Sequence, residues 1–314
     1  MMFQSSVVMA ALCCLTVGTS LMVSAQDTDA SGNAVIGENL VDGACAVDYD
    51  PEAGIDYFPT KYAAPDISSY GDVDIFGNKF VPHNTTDFLQ IEYFKTYKIV
   101  TNSHQDPPLQ YLLYQCGTEI PDDVDQDDFQ LVVSVPHQGG LALTQTPMIP
   151  YVELLNLRKD IIAHLGDPSY VTSPCLSYQL GPNATDEERI PVIWDSNSTI
   201  EEEMVTQWRA DNPEAIIVSG PTNNIVGDRV IVSSATQERT NVATYDWIAF
   251  YAAFYNLEGE SNRLTQQMQE SYDCTSDLAN EIVAEQHDLG SDADGNFEGG
   301  GEYKEPIIFW ASYS

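Results

Sequence analysis

The sequence predicts an α/β fold: a lobe built on a parallel sheet with helices on both faces, then a long helix, then the first strand of a second α/β lobe. Three observations carry this expectation. Short continuous apolar runs at residues 129–135 (FQLVVSV), 160–164 (DIIAH) and 215–218 (AIIV) have the length and composition of strands buried on both faces. Helical segments separate them at 151–157 and 200–210, the latter with Glu201, Glu202 and Glu203 in its first turn, where a helix dipole favours negative charge. The longest helical pattern runs from 244 to 285. There Trp247, Phe250, Tyr251, Phe254, Leu257, Leu264, Met268 and Tyr272 follow one face, and Gly259 marks a kink or join. Alternation of apolar strands with helices is the pattern of a parallel sheet covered on both sides.

The elements on either side are read in the same way. Residues 88–100 and 109–116 are rich in β-branched and aromatic side chains and predict strands, separated from the next strand by a solvated acidic loop at 122–128. Residues 26–55 are small, polar and acidic, with Gly32, Gly37 and Gly43, and predict a linker. Residues 288–301 are rich in Asp and Gly. Asp292, Asp294 and Asn296 begin like a calcium loop, but Phe297 and Tyr303 stand where the turn glycine and the bidentate glutamate belong, so a linker is expected. Residues 306–311 (PIIFWA) predict a new buried strand. The sequence stops three residues later, so the second lobe is expected to be incomplete and the chain a fragment or an incomplete gene model.

Composition narrows the function. The 314 residues hold 43% hydrophobic side chains, enough for a sizeable core. Against 12 Lys and Arg stand 48 Asp and Glu, a formal charge of −36. Such a chain repels nucleic acid and anionic lipid and suits a cationic or neutral ligand. Residues 7–23 are apolar, with Val23 and Ala25 satisfying the small-residue rule for cleavage after Ala25, although no Lys or Arg precedes the run. Residues 1–25 are therefore expected to be a cleaved signal peptide, with an uncleaved signal anchor as the alternative. The product would be secreted or held at the cell surface, with no direct membrane insertion after cleavage. Leu12 before Cys13 argues against a lipoprotein site. Cys45, Cys116, Cys175 and Cys274 remain, an even number that predicts two disulfides in one of three pairings. Sequons at Asn84, Asn183 and Asn197 fit a glycoprotein.

Enzyme signatures are absent. No G-x-S-x-G, H-E-x-x-H, Walker A or G-x-G-x-x-G motif occurs, and His83, His104, His137, His164 and His287 are scattered. No catalysis, metal site or cofactor is expected. What remains is a set of small polar residues just after buried strands: Ser134 and His137, then Thr144, Gln145 and Thr146, then Ser173, then Ser219 and Gly220. In open α/β sheets ligands bind beyond the carboxyl ends of the strands, so these residues are candidates for the rim of a cleft.

The order of segments carries a resemblance. FKTYKIV and YLLYQC are similar to the N-terminal hairpin of iron-complex binding proteins. The stretch TPMIPYVELLNLRKDIIAHLGDPSYVTSPC resembles their ligand-side loop, first lobe helix and next strand. EEEMVTQWRADNPEAIIVSG is similar to their helix, proline and buried strand. ATYDWIAFYAAFYNLEGESNRLTQQMQESY resembles the start of their inter-lobe helix, and KEPIIFWASYS the opening strand of their second lobe. The chain thus resembles, over residues 57–314, the periplasmic-binding-protein class with a rigid inter-lobe helix, which serves ferric-siderophore, haem and cobalamin importers. The resemblance implies a Rossmann-like lobe at 56–243, an inter-lobe helix at 244–286, and a linker with the start of a truncated lobe at 287–314. It implies capture of a small-molecule iron complex for a membrane uptake system, without chemistry on the ligand. Ser134, His137, Thr144, Gln145, Ser173 and Ser219 would supply hydrogen bonds, and Arg158 and Arg239 would meet ligand carboxylates or catecholate oxygens. Haem or cobalamin binding, and an acidic adhesion or structural glycoprotein, are the alternatives.

Overall fold

Aromatic and β-branched residues build the first sheet, and the turn within it shows why one predicted strand is two. In the computed structural model, which describes residues 37, 39–59, 79, 86–194, 202–222, 225 and 227–290 (without the side chains of 202 and 283–290), β1 (Leu89–Tyr93) and β2 (Tyr97–Asn102) form a hairpin. Phe94 N donates to Tyr97 O at 2.8 Å, and the two rings stack with centroids 4.3 Å apart across the turn. β3 (Leu109–Gln115) adds antiparallel to β2, and β4 (Leu131–Val135) adds parallel to β3. β4 alternates buried and half-buried residues, so this apolar run covers one face and not two.

The second sheet is parallel throughout, in the order β6-β5-β7-β8, with β5 (Leu141–Leu143), β6 (Ile161–His164), β7 (Ile216–Ser219) and β8 (Val230–Val232). Both faces are covered. Leu141, Leu143, Ile161, Ile216, Val218 and Ile231 join the main core, while Ala142, Ala163, Ile217 and Val230 pack with Val205 and Trp208 of α3 (Glu202–Asp211). This alternation is what a period of two imposes on strands buried on both sides. The chain is an α/β fold with the doubly covered parallel sheet that two of its three apolar runs, at 160–164 and 215–218, predict. α1 (Ile149–Leu154) joins β5 to β6, and α2 (Pro174–Leu180) follows β6.

The long helical pattern resolves into three pieces: α4 (Asn241–Asp246), α5 (Ile248–Ala253) and α6 (Glu258–Gly290). Every residue of α5 is buried. Tyr111 packs against Phe250 and Phe254 at centroid distances of 6.0 and 6.4 Å, and Tyr151 stacks on Tyr251 at 5.1 Å. Residues 246–255 are therefore core of the lobe; the extended helix expected from Thr244 starts only at Glu258. The break also falls before Gly259, at Asn256, whose φ of 58° is left-handed. Asn256 holds that conformation with a committed side chain: Nδ2 donates to Leu40 O at 2.7 Å and to Gln115 Oε1 at 3.0 Å, and Oδ1 accepts from Lys98 Nζ at 3.0 Å.

Residues 39–55 are not a free linker. Leu40, Ala46, Tyr49 and Ile55 pack on the core, Ala46 N donates to Cys116 O at 2.8 Å, and Cys45 is bonded to Cys116. Cys175 and Cys274 are free and exposed, so one disulfide stands among the described residues where four cysteines suggested two. The chain divides into one unit over residues 17–266 and another over 1–16 with 267–314. In the latter, the described residues all belong to α6, and Tyr272, Leu278 and Ile282 are exposed along it. Among the described residues no helix is long and apolar enough to cross a membrane. The expected signal peptide at 1–25, Asn84, Asn197, the calcium-like segment at 292–303 and the strand at 306–311 lie outside the described residues.

Candidate ligand cleft

The chain path through the second sheet creates a switch point. From β5 the chain crosses through α1 to β6 on one side, then returns through α2 and α3 to β7 on the other side and continues outward to β8. The connections after β5 and β7 thus part in opposite directions, which leaves a crevice beyond their carboxyl ends. Thr144, Gln145 and Thr146 follow β5; Ser219 and Gly220 end and follow β7. The two ends are laced together, with Thr144 N donating to Val218 O at 3.1 Å. Gly220 leaves room for Gln145: a Cβ there would come within 2.0 Å of Gln145 Oε1.

Burial sorts these candidates. Thr144 and Ser219 are buried, and the Ser219 hydroxyl donates to its neighbour's carbonyl, Gly220 O, at 3.3 Å. Both belong to the floor. Gln145 and Thr146 are half-buried and form the part of the edge open to solvent.

From Thr146 a cleft of about 430 Å³ runs along α1, lined by Ile149, Pro150, Glu153 and Leu154 of the helix and closed by Thr172 and Ser173. The spacing explains the lining, since positions i, i+1, i+4 and i+5 share one helical face. Pro147 and Pro150 fix the entry into α1 at positions where a missing N–H costs little. Ser173 has two duties. Its Oγ accepts from Leu176 N at 3.3 Å, capping α2, and donates to Glu153 Oε1 at 2.6 Å. Arg158 Nη1 stands 3.8 Å from the same oxygen. Of the residues singled out in the sequence, Ser173 and Arg158 therefore meet at Glu153, a residue the sequence reading passed over. Only the placement of an acid on the open face of IPYVEL could have flagged it.

Ser134, His137 and Arg239 are elsewhere. Ser134 sits in β4 of the other sheet, opposite Tyr114. Arg239 is exposed and pairs with Asp87 at 3.3 Å. His137 precedes β5 at the opposite end from Thr144, is 5% exposed, and packs edge-on to Tyr255. Its Nε2 lies 3.1 Å from Gly140 O, and its backbone N donates to Phe254 O at 2.7 Å. It is a core histidine and not part of the rim. Asn183 is exposed in the turn after α2. Among the described residues no three His, Cys, Asp or Glu side chains gather as a metal site.

Burial pushes the His137 imidazole down to about 4. Unfolded, a histidine takes up its proton near pH 6.5, so below that pH the unfolded chain binds the extra proton first. The stability that neutral His137 contributes is complete above pH 6.5 and falls as pH drops towards 4, by about 3 kcal/mol in all. The difference in unfolding free energy between wild type and His137→Gln should be flat above pH 7 and shift by that amount by pH 4. A pH-independent difference in urea titrations would contradict the assignment.

No family model and no curated protein matches the chain. Among solved structures that are similar is an ABC-type Fe3+-hydroxamate transport system protein from Saccharomonospora viridis, at 14% identity and a TM-score of 0.32. The match covers 43% of this chain and 48% of that one, so the chain spans about half the length of that protein.

Proposed function

We propose that this chain is an extracytoplasmic solute-binding protein that captures a ferric-siderophore-type iron complex for an uptake system. The observation that carries the reading is the cleft along α1, which begins at the carboxyl edge of a parallel sheet beside its switch point. Hydroxyls from Thr146, Thr172 and Ser173 and the apolar Leu154 give that cleft the mixed lining of a small-molecule site. The order of sequence segments resembling iron-complex binding proteins supports the ligand class. The Cys45–Cys116 bond is in keeping with an oxidising compartment, as export through residues 1–25 would require.

Thermal unfolding of the chain against ferric hydroxamate and catecholate siderophores, haem and cobalamin tests the proposal. A ligand present at 100 times its Kd stabilises the folded state by about 2.7 kcal/mol, a rise of several degrees in Tm. The expected result is such a rise with a ferric siderophore and none with its iron-free form. A rise with haem or cobalamin alone would replace the ligand class. No rise with any of them would favour a structural or adhesive role.

A further inference from the structure

We infer that the cleft along α1 selects solutes carrying a cationic ammonium group, with Glu153 as the residue that receives it. The inference rests on the binding role proposed above. Among the described residues lining the cleft, Glu153 is the one ionisable side chain. Its side chain is 26% exposed, and both of its contacts fall on one oxygen, Oε1: the hydrogen bond from Ser173 Oγ at 2.6 Å and the approach of Arg158 Nη1 at 3.8 Å. Among the described residues Oε2 has no partner. Arg158 is beyond hydrogen-bond distance and 45% exposed, so water screens most of its effect on the carboxylate.

An ammonium group fits this arrangement. It has three donors and no acceptor, so one N–H can take Glu153 Oε2 while the others reach hydroxyl oxygens of the cleft such as Thr146 or Thr172. The methylene chain behind it would lie on Leu154, a residue 46% exposed in the cleft wall. An anionic solute would meet the Glu153 carboxylate and, on approach, the field of a chain with formal charge −36. The same field raises the encounter rate of a cation.

Equilibrium binding of two probes tests the inference: ferrioxamine B, which carries a primary ammonium, and its N-acetylated neutral counterpart. Both are titrated into the full chain and into Glu153→Gln. Wild type is expected to prefer the ammonium form by about tenfold, as a charge-assisted hydrogen bond supplies, and the preference is expected to shrink with added salt. Glu153→Gln should erase it. The ratio of the two affinities within one variant does not depend on how much of that variant folds. Equal binding of the two probes by wild type, or a preference that survives Glu153→Gln, would overturn the inference and leave the binding role standing. Binding of neither probe would overturn the inference, and the binding role would then stand or fall on the catecholate arm of the thermal-unfolding test.

Discussion

Replacing Lys98 with methionine, or Glu258 with leucine, is expected to cost about 3–5 kcal/mol of stability, a fall of about 10 °C in Tm for a lobe of this size. Lys98 on β2 and Glu258 at the start of α6 form an ion pair in which both side chains are fully buried. Burial pushes the Lys98 ammonium down and the Glu258 carboxyl up from their ordinary ranges, while the attraction between them opposes both shifts. Lys98 is held further by Asn256 Oδ1 and lies 4.7 Å above the Phe58 ring. Each single replacement strands one charge among apolar groups, whereas removing both strands none. The double variant Lys98→Met/Glu258→Leu should therefore be more stable than either single one. Urea denaturation of the four proteins gives the coupling. Simple addition of the two losses would contradict the account.

Loss of the Cys45–Cys116 bond is the second large effect. The bond closes a loop with a sequence separation of 71, and removing a crosslink of that span from the unfolded ensemble is expected to cost about 4 kcal/mol. The local structure adds to this, because Gly117 has a left-handed φ of 83° and a Cβ there would come within 2.1 Å of Ala46 O. The segment at 39–59 thus lies directly on the strand end it is bonded to. Cys45→Ala/Cys116→Ala should lower Tm by about 10 °C, and limited proteolysis should then cut first within residues 39–55. Unchanged stability of the double variant, or of the wild type under reducing conditions, would contradict the expectation.

How much of this was legible in the sequence depended on the length of the signal. β6, β7 and α3 were legible because four-residue apolar runs and a ten-residue helix impose a period on the chain. β5 and β8 have three residues each, too few to show a period, and β5 is the strand on which the switch point turns. The aromatic stretch at 247–255 has helical spacing in both readings. Only tertiary contacts distinguish a buried core helix from part of an extended one, and those contacts come from Tyr111, in β3, and Tyr151, in α1. His137 and Glu153 illustrate the two ways the site escaped. His137 follows a strand, which is the right place for a ligand residue, but it follows β4 of the other sheet and turns into the core. Glu153 sits in the last turn of α1, where an acid carries no signal until α2 brings Ser173 to it. Disulfide pairing was equally hidden, since four cysteines carry no information about which segments meet.

The proposed function places a ferric-siderophore-type solute in the cleft along α1. The most direct test is an amide chemical-shift titration of the labelled chain with the gallium complex of desferrioxamine B, a diamagnetic stand-in for the ferric one. Saturable shifts are expected, concentrated at Thr146, Glu153, Leu154, Thr172 and Ser173, with His137 and Arg239 unmoved. Shifts that gather elsewhere, or none at saturating concentration, would contradict that placement.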